Sequence, residues 1–126
     1  MPPILEPHPN TALIWNDVSV SYEELLRRAW ACSRLLRPED ERVAVFSENR
    51  CEWVYAAYGI WASHNALVPI DHLSSAEEVA YVLDDCAPGA VFCSEKTRPV
   101  LERALALCRR RPRLIAVEQL AAAEPN

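Results

Sequence analysis

RVAVFSENRCEWVYAAYGIWASHNALVPID, residues 42 to 71, decides the fold. Val43 to Phe46 is a short β-branched and aromatic run, bounded by the polar turn Ser47-Glu48-Asn49, and reads as a strand. Residues 51 to 64 hold Trp53, Val54, Tyr55, Ala56, Ala57, Tyr58, Ile60 and Trp61. A helix apolar on nearly every side is sustained only when buried. Ser47 or Asn49 is placed to cap it, and Asn65 to end it in the left-handed conformation that Gly most often takes. Leu67 to Ile70 is a second strand. Strand, crossover helix and strand make one βαβ unit of a parallel sheet.

Working outward, Met1 to Asn10 is proline-rich and irregular. Ala12 to Trp15 and Val18 to Val20 flank Asn16-Asp17, residues that tolerate the positive φ of a tight hairpin turn. Ser21 and Glu24 read as a capping box opening a first helix that Pro38 should stop. Its stripe is Leu25, Leu26, Ala29, Cys32 and Leu36. Beyond the opening unit, Ser74 or Ser75 caps a helix with Val79, Val82, Leu83 and Cys86 at helical spacing. Ala90 to Cys93 is a third strand. A helix from near Pro99 buries Leu101, Ala104, Leu105 and Cys108, and Leu114 to Val117 is a fourth strand.

The expected architecture is α/β: an open parallel sheet of about four strands with helices on both faces, preceded by a β-hairpin. Its segments are a lead-in and hairpin over 1–20, a first helix over 21–37 and a βαβαβαβ core over 42–117, all in one unit spanning 1–126. The expected spatial order of strands 43–46, 67–70, 90–93 and 114–117 is 2-1-3-4.

Composition excludes several function classes. A net charge of −5 disfavours nucleic acid. The one basic run, Arg109 to Arg111 with Arg113, reads as cations at a helix end rather than a phosphate site. Only two glycines, Gly59 and Gly89, are present, so no phosphate-cradling loop can be written. Cysteines number five, with no C-x-x-C, and suit a reducing cytoplasm. His8, His64 and His72 share no metal-ligand spacing. No apolar run approaches the roughly 20 residues of a membrane span.

Open α/β sheets bind ligands outside the carboxyl ends of their strands. The candidate substrate-binding residues are therefore Ser47 and Asn49 after the first strand, and Asp71 and His72 after the second. Each also has a plain structural reading. Ser47 and Asn49 suit a helix cap, and Asp71 and His72 suit the loop ahead of Ser74. Ser94-Glu95-Lys96 reads as a solvated turn. Asp84-Asp85 closes a helix rather than following a strand, which rules out a receiver-type acidic site. No catalytic, cofactor-binding or metal-binding residue is assigned.

Four short pieces occur in an order that resembles one family: Ser21-Tyr22-x-Glu24-Leu25, Ser47-Glu48-Asn49, Val68-Pro69-Ile70-Asp71 and Glu77-Glu78-Val79. The chain resembles the N-terminal portion of the adenylate-forming (AMP-dependent) synthetases, which include acyl-CoA synthetases, luciferases and adenylation domains. Two departures stand out: Asp40-Glu41 replaces the usual Gly-Asp before the first strand, and Asn65 replaces the usual Gly at the helix end. The resemblance implies a partial N-terminal subdomain of a larger ligase. That parent would use ATP, Mg²⁺ and coenzyme A to activate a carboxylic acid, first as an acyl-adenylate and then as a thioester. The family's phosphate loop, adenine- and ribose-binding motifs and catalytic lysine have no matching position here. The expected partners are then the remainder of the parent polypeptide, the carboxylic acid substrate and, for the isolated chain, a second copy packed on the hairpin and first helix. The rival expectation is a free-standing α/β binding or interaction module without catalysis.

Overall fold

The computed structural model describes residues 11–15 and 18–122. The lead-in, the turn Asn16-Asp17 and the last four residues lie outside the described residues. Strands β1 (Thr11–Trp15) and β2 (Val18–Ser21) pair antiparallel in a sheet of their own. There follow α1 (Tyr22–Ser33), β3 (Arg42–Phe46), α2 (Cys51–Ala62), β4 (Ala66–Ile70), α3 (Ala76–Cys86), β5 (Ala90–Cys93), α4 (Arg98–Leu107), β6 (Arg113–Ala116) and α5 (Glu118–Ala122). The main sheet has four strands, all parallel, in the order β4-β3-β5-β6, which is the expected 2-1-3-4.

Alternation along the strands explains the layers. Val43, Val45, Phe92 and Ile115 face one side and pack with Leu25, Cys32, Tyr55, Ile60 and Leu120 of α1, α2 and α5. Ala44, Phe46, Val91 and Cys93 face the other and pack with Val79, Leu83, Leu101 and Ala104 of α3 and α4. Burying each such Val, Leu, Ile or Phe contributes about 1.5–3 kcal/mol. β4 is an edge strand, and its Pro69 sits opposite Val45.

Gly59 lets α1 lie on α2. A Cβ there would stand 2.5 Å from Cys32 Sγ and 3.0 Å from the Ala29 carbonyl oxygen, closer than packed atoms approach. The apolar stripe of α1 is consequently covered within the chain: Leu25, Leu26, Ala29, Cys32 and Leu36 are all buried. On α2 the side chain left most open is Trp61, 48 % exposed and edge-on to Tyr58 at 5.3 Å. Burial pushes the Cys32 thiol up to about 12, and burial also raises Cys51, Cys93 and Cys108. These side chains act as small hydrophobes rather than thiolates.

Several local expectations are corrected. Ser21 Oγ does accept from the Glu24 amide at 3.1 Å, but the Glu24 carboxylate turns to Arg28 and Arg27. A full capping box forms instead at α3, between Ser75 and Glu78. α1 ends at Ser33, not at Pro38, because its last turn tightens: the amides of Leu35 and Leu36 donate to the carbonyls of Cys32 and Ser33. Pro38 instead opens a 3₁₀ turn, Pro38–Asp40. The basic run lies past the end of α4 rather than in its last turn. Its Arg113 belongs to β6, pairs with buried Asp40 and donates to the Leu35 carbonyl at 3.3 Å. Glu41, in the family's Gly-Asp position, has φ 60°, so a non-glycine residue carries the left-handed turn.

The helix-ending residue is also displaced by one. His64, not Asn65, has positive φ, at 65°. The His64 amide donates to Trp61 and the Asn65 amide to Ile60, the double bond pattern of a Schellman cap with His64 in the left-handed place. Asn65 is buried and its amide donates to the Arg37 carbonyl at 3.2 Å and to Ser63 Oγ at 2.8 Å. Opposite signs follow for two neighbouring substitutions. His64→Gly removes a left-handed penalty of about 1–2 kcal/mol, less the greater freedom of unfolded Gly, and should raise stability by about 0.5–1 kcal/mol. Asn65→Gly loses both part-buried side-chain hydrogen bonds and should lower it by about 1–2 kcal/mol. Thermal melts of both variants check this, and equal signs would contradict the cap geometry.

Candidate functional site

The four candidate residues meet. Ser47 and Asn49 leave the carboxyl end of β3, while Asp71 and His72 leave that of its neighbour β4. With Trp53, Pro69 and Ile70 they line one open depression of about 330 Å³. The lining combines Trp53, Pro69 and Ile70 with a hydroxyl, an amide, a carboxylate and an imidazole. That mixture is the usual make-up of a small-molecule site, apolar area with a few polar groups that orient the ligand.

The alternative roles of these residues separate. Neither Ser47 nor Asn49 caps α2: the cap residue is Arg50, whose side chain makes no capping bond to the amides of the first turn. Ser47 is buried and its hydroxyl donates to the Glu48 carbonyl at 3.0 Å, while Asn49 is exposed. Asp71 does organise its loop, accepting from the Leu73 amide at 2.9 Å, and it stands 3.8 Å from His72 Nδ1.

A second polar group lies on the other side of β3, at the point where the strand order reverses between β3 and β5. Doubly wound sheets open a ligand crevice at that point. Here the chain's own side chains close it. Thr97 Oγ1 donates to the Phe46 carbonyl at 2.6 Å and accepts from the Ser94 amide at 2.9 Å. Ser94 Oγ donates to Glu48 Oε1 at 2.6 Å. Ser94, read from sequence as part of a solvated turn, is 1 % exposed, whereas Glu95 and Lys96 do face solvent.

Arg50 joins this group to its surroundings. Its Nε donates to Glu52 at 2.7 Å, and its Nη1 lies 3.0 Å from Glu118 and 3.5 Å from Glu48. Glu118 Oε2 also accepts from the Glu95 amide at 3.0 Å. Burial opposes the charge on Arg50, but the three carboxylates outweigh it and raise its pKa. For Glu48 burial likewise opposes the charge. The Ser94 hydroxyl, its own backbone amide, Arg50 and Lys96 overcome that and hold the carboxyl below the usual carboxylate range. Sequence reasoning passed over Glu118, on a short helix it did not anticipate. The available signal was a Glu in a first turn followed by Leu120 and alanines.

Neither group fits a resident nucleotide or Mg²⁺. An ionised Glu48 occupies the switch-point crevice and would repel a phosphate. Among the described residues no three or more His, Cys, Asp or Glu side chains converge as metal ligands.

A family model described as "AMP-binding enzyme" matches residues 5–125. The chain belongs to the AMP-binding enzyme family. Within that family it is similar to tyrocidine synthase 3 of Brevibacillus parabrevis, 31% identical over 94 residues, covering 71% of this chain and 1% of that protein. It is also similar to a long-chain-fatty-acid–CoA ligase of Mycobacterium bovis, 30% identical over 115 residues, covering 90% of this chain and 19% of the ligase. Among solved structures, a benzoate CoA ligase from Burkholderia xenovorans superposes with a TM-score of 0.79 at 25% identity, over 92% of this chain and 26% of that one. The chain thus spans a small part of the length of these AMP-binding enzymes. No helix among the described residues is long and apolar enough to cross a membrane.

Glu48 allows a pH test. Because its folded pKa is depressed, its contribution to stability is present above the ordinary carboxylate value of 4.5 and is lost as pH falls through the folded value. Glu48→Gln should therefore melt below the wild type at neutral pH, and the gap should narrow at an acid pH below the folded value. A gap of equal size at both pH values would show that the charge of Glu48 plays no part.

Proposed function

We propose that the chain is the N-terminal scaffold of an ATP-dependent carboxylate-activating ligase. The complete enzyme would form an acyl-adenylate and pass the acyl group to coenzyme A. The observation that carries this reading is the family match across residues 5–125. Support for the thioester step comes from the CoA ligases among its relatives. The peptide synthase among the relatives makes an acceptor other than coenzyme A the competing reading.

In this reading the residues of the chain wall a site rather than react in it. The depression lined by Ser47, Asn49, Trp53, Asp71 and His72 would face the carboxylic acid substrate, with ATP and Mg²⁺ held by the remainder of the parent polypeptide. Free cysteines and a core of protonated thiols suit a reducing compartment such as the cytoplasm.

The purified chain should be catalytically silent. Pyrophosphate release from ATP, measured with a panel of fatty and aromatic acids, should stay at background; turnover abolished by a substitution at Asp71 or His72 would overturn the scaffold reading.

A chain that forms part of a larger enzyme also presents surface meant for missing neighbours, and a second copy is the available cover. With the stripe of α1 already spent on α2, the contact should involve Trp61 and Tyr22, both exposed. Sedimentation at micromolar concentration should report a dimer or larger species. A monomer that binds no hydrophobic dye would favour a free-standing module instead.

A further inference from the structure

The turn between β3 and α2 has two faces. Ser47 and Asn49 line the depression. Glu48 and Arg50, alternating with them, turn away: Glu48 accepts from Ser94 Oγ at 2.6 Å, and Arg50 reaches Glu52 at 2.7 Å and Glu118 of α5 at 3.0 Å. Beyond these, the Arg50 carbonyl accepts from the Trp53 amide at 3.0 Å. The Arg50 side chain makes no capping bond to the first-turn amides of α2, Asn49 is exposed, and the Ser47 hydroxyl bonds only inside the turn, to Glu48.

The guanidinium is well suited to holding such a turn. Its donors lie in a rigid planar fork, and its bonds to carboxylates are charge-assisted and directional. Arg50 is only 18% exposed and its partners Glu48 and Glu52 are 20% and 10% exposed, so solvent screens these pairs far less than surface ones. The arrangement is also unbalanced, with three carboxylates around one cation. Without Arg50 they repel one another, and the bond from Ser94 is left to hold Glu48.

We propose that Glu48, Arg50 and Glu118 form a clamp that positions the Ser47–Asn49 wall of the depression, so that α5, which lines none of it, governs its shape. Arg50 and Glu118 are positioning residues: they act on a ligand through Ser47 and Asn49. The clamp also links two parts of the chain far apart in sequence, the first crossover of the sheet and the segment that follows its last strand. That the depression receives a carboxylic acid rests on the scaffold reading above; the clamp is a property of the turn.

The test uses the full chain, labelled with ¹⁵N, and no substrate. The side-chain amide of Asn49 and the indole N–H of Trp53 report on the depression. Glu118→Gln, a mild change on α5, should shift or broaden both reporters several-fold more than Asp40→Asn does, a substitution that breaks the buried pair with Arg113 at the opposite end of the sheet. Arg50→Lys, which keeps the charge and loses the fork, should move them further, and Glu118→Asp should restore part of the wild-type spectrum. Reporters unmoved in folded Glu118→Gln, or moved equally by Asp40→Asn, would overturn the clamp. Because no acid is added, failure here leaves the proposed chemistry standing, and pyrophosphate release or its absence leaves the clamp standing.

Discussion

The carboxyl ends of the strands are organised by how the last carbonyl of β3 is satisfied. Phe46 is fully buried, and leaving its carbonyl without a partner would cost about 1–3 kcal/mol. The Thr97 hydroxyl supplies the bond at 2.6 Å and takes the Ser94 amide in return. One threonine thus seals β3 to the start of α4 and fills the place where such sheets ordinarily admit a ligand. With that side of β3 closed, the open space falls on the other side, between β3 and β4. The depression is the result.

A parallel sheet leaves little freedom in this choice. Because β3 pairs on both edges and is covered on both faces, the turn that leaves it is the main variable at its exit. Adjacent residues of an extended turn point in opposite directions, so a four-residue turn can serve two neighbourhoods at once. Ser47 and Asn49 serve the depression; Glu48 and Arg50 serve β5, α4 and α5. Electrostatics on the second side then sets geometry on the first.

The sheet was legible in the sequence because its strands are apolar runs of the right length and its helices carry clear stripes. Strand order followed from the short crossovers. What was not legible depends on contacts between distant residues. Nothing local distinguishes Ser94 from a surface serine; its buried hydroxyl is satisfied by Glu48, 46 positions away, which accepts its hydrogen bond. Asn65 has the better intrinsic preference for a left-handed residue, yet it is drawn inward by the Arg37 carbonyl, and His64 adopts the strained conformation instead. Arg50 reads as an ordinary surface cation until Glu118 is brought beside it. The four candidate residues share one depression because they follow neighbouring strand ends, a topological feature that periodicity reveals. Their supporting residues were missed because ion pairing at long range leaves no periodic trace.

Pro69 has a consequence for the sheet as a template. The Ala66 amide donates inward, to the Glu41 carbonyl, so alternate residues of β4 point toward β3 and the positions between them, Leu67 and Pro69, point outward. A proline at an outward position removes a donor from the one free side of the strand. A foreign strand arriving there finds a single amide, that of Leu67, and cannot zip along it. The sheet therefore has a finished margin at β4, where neither fibril growth nor strand exchange finds purchase.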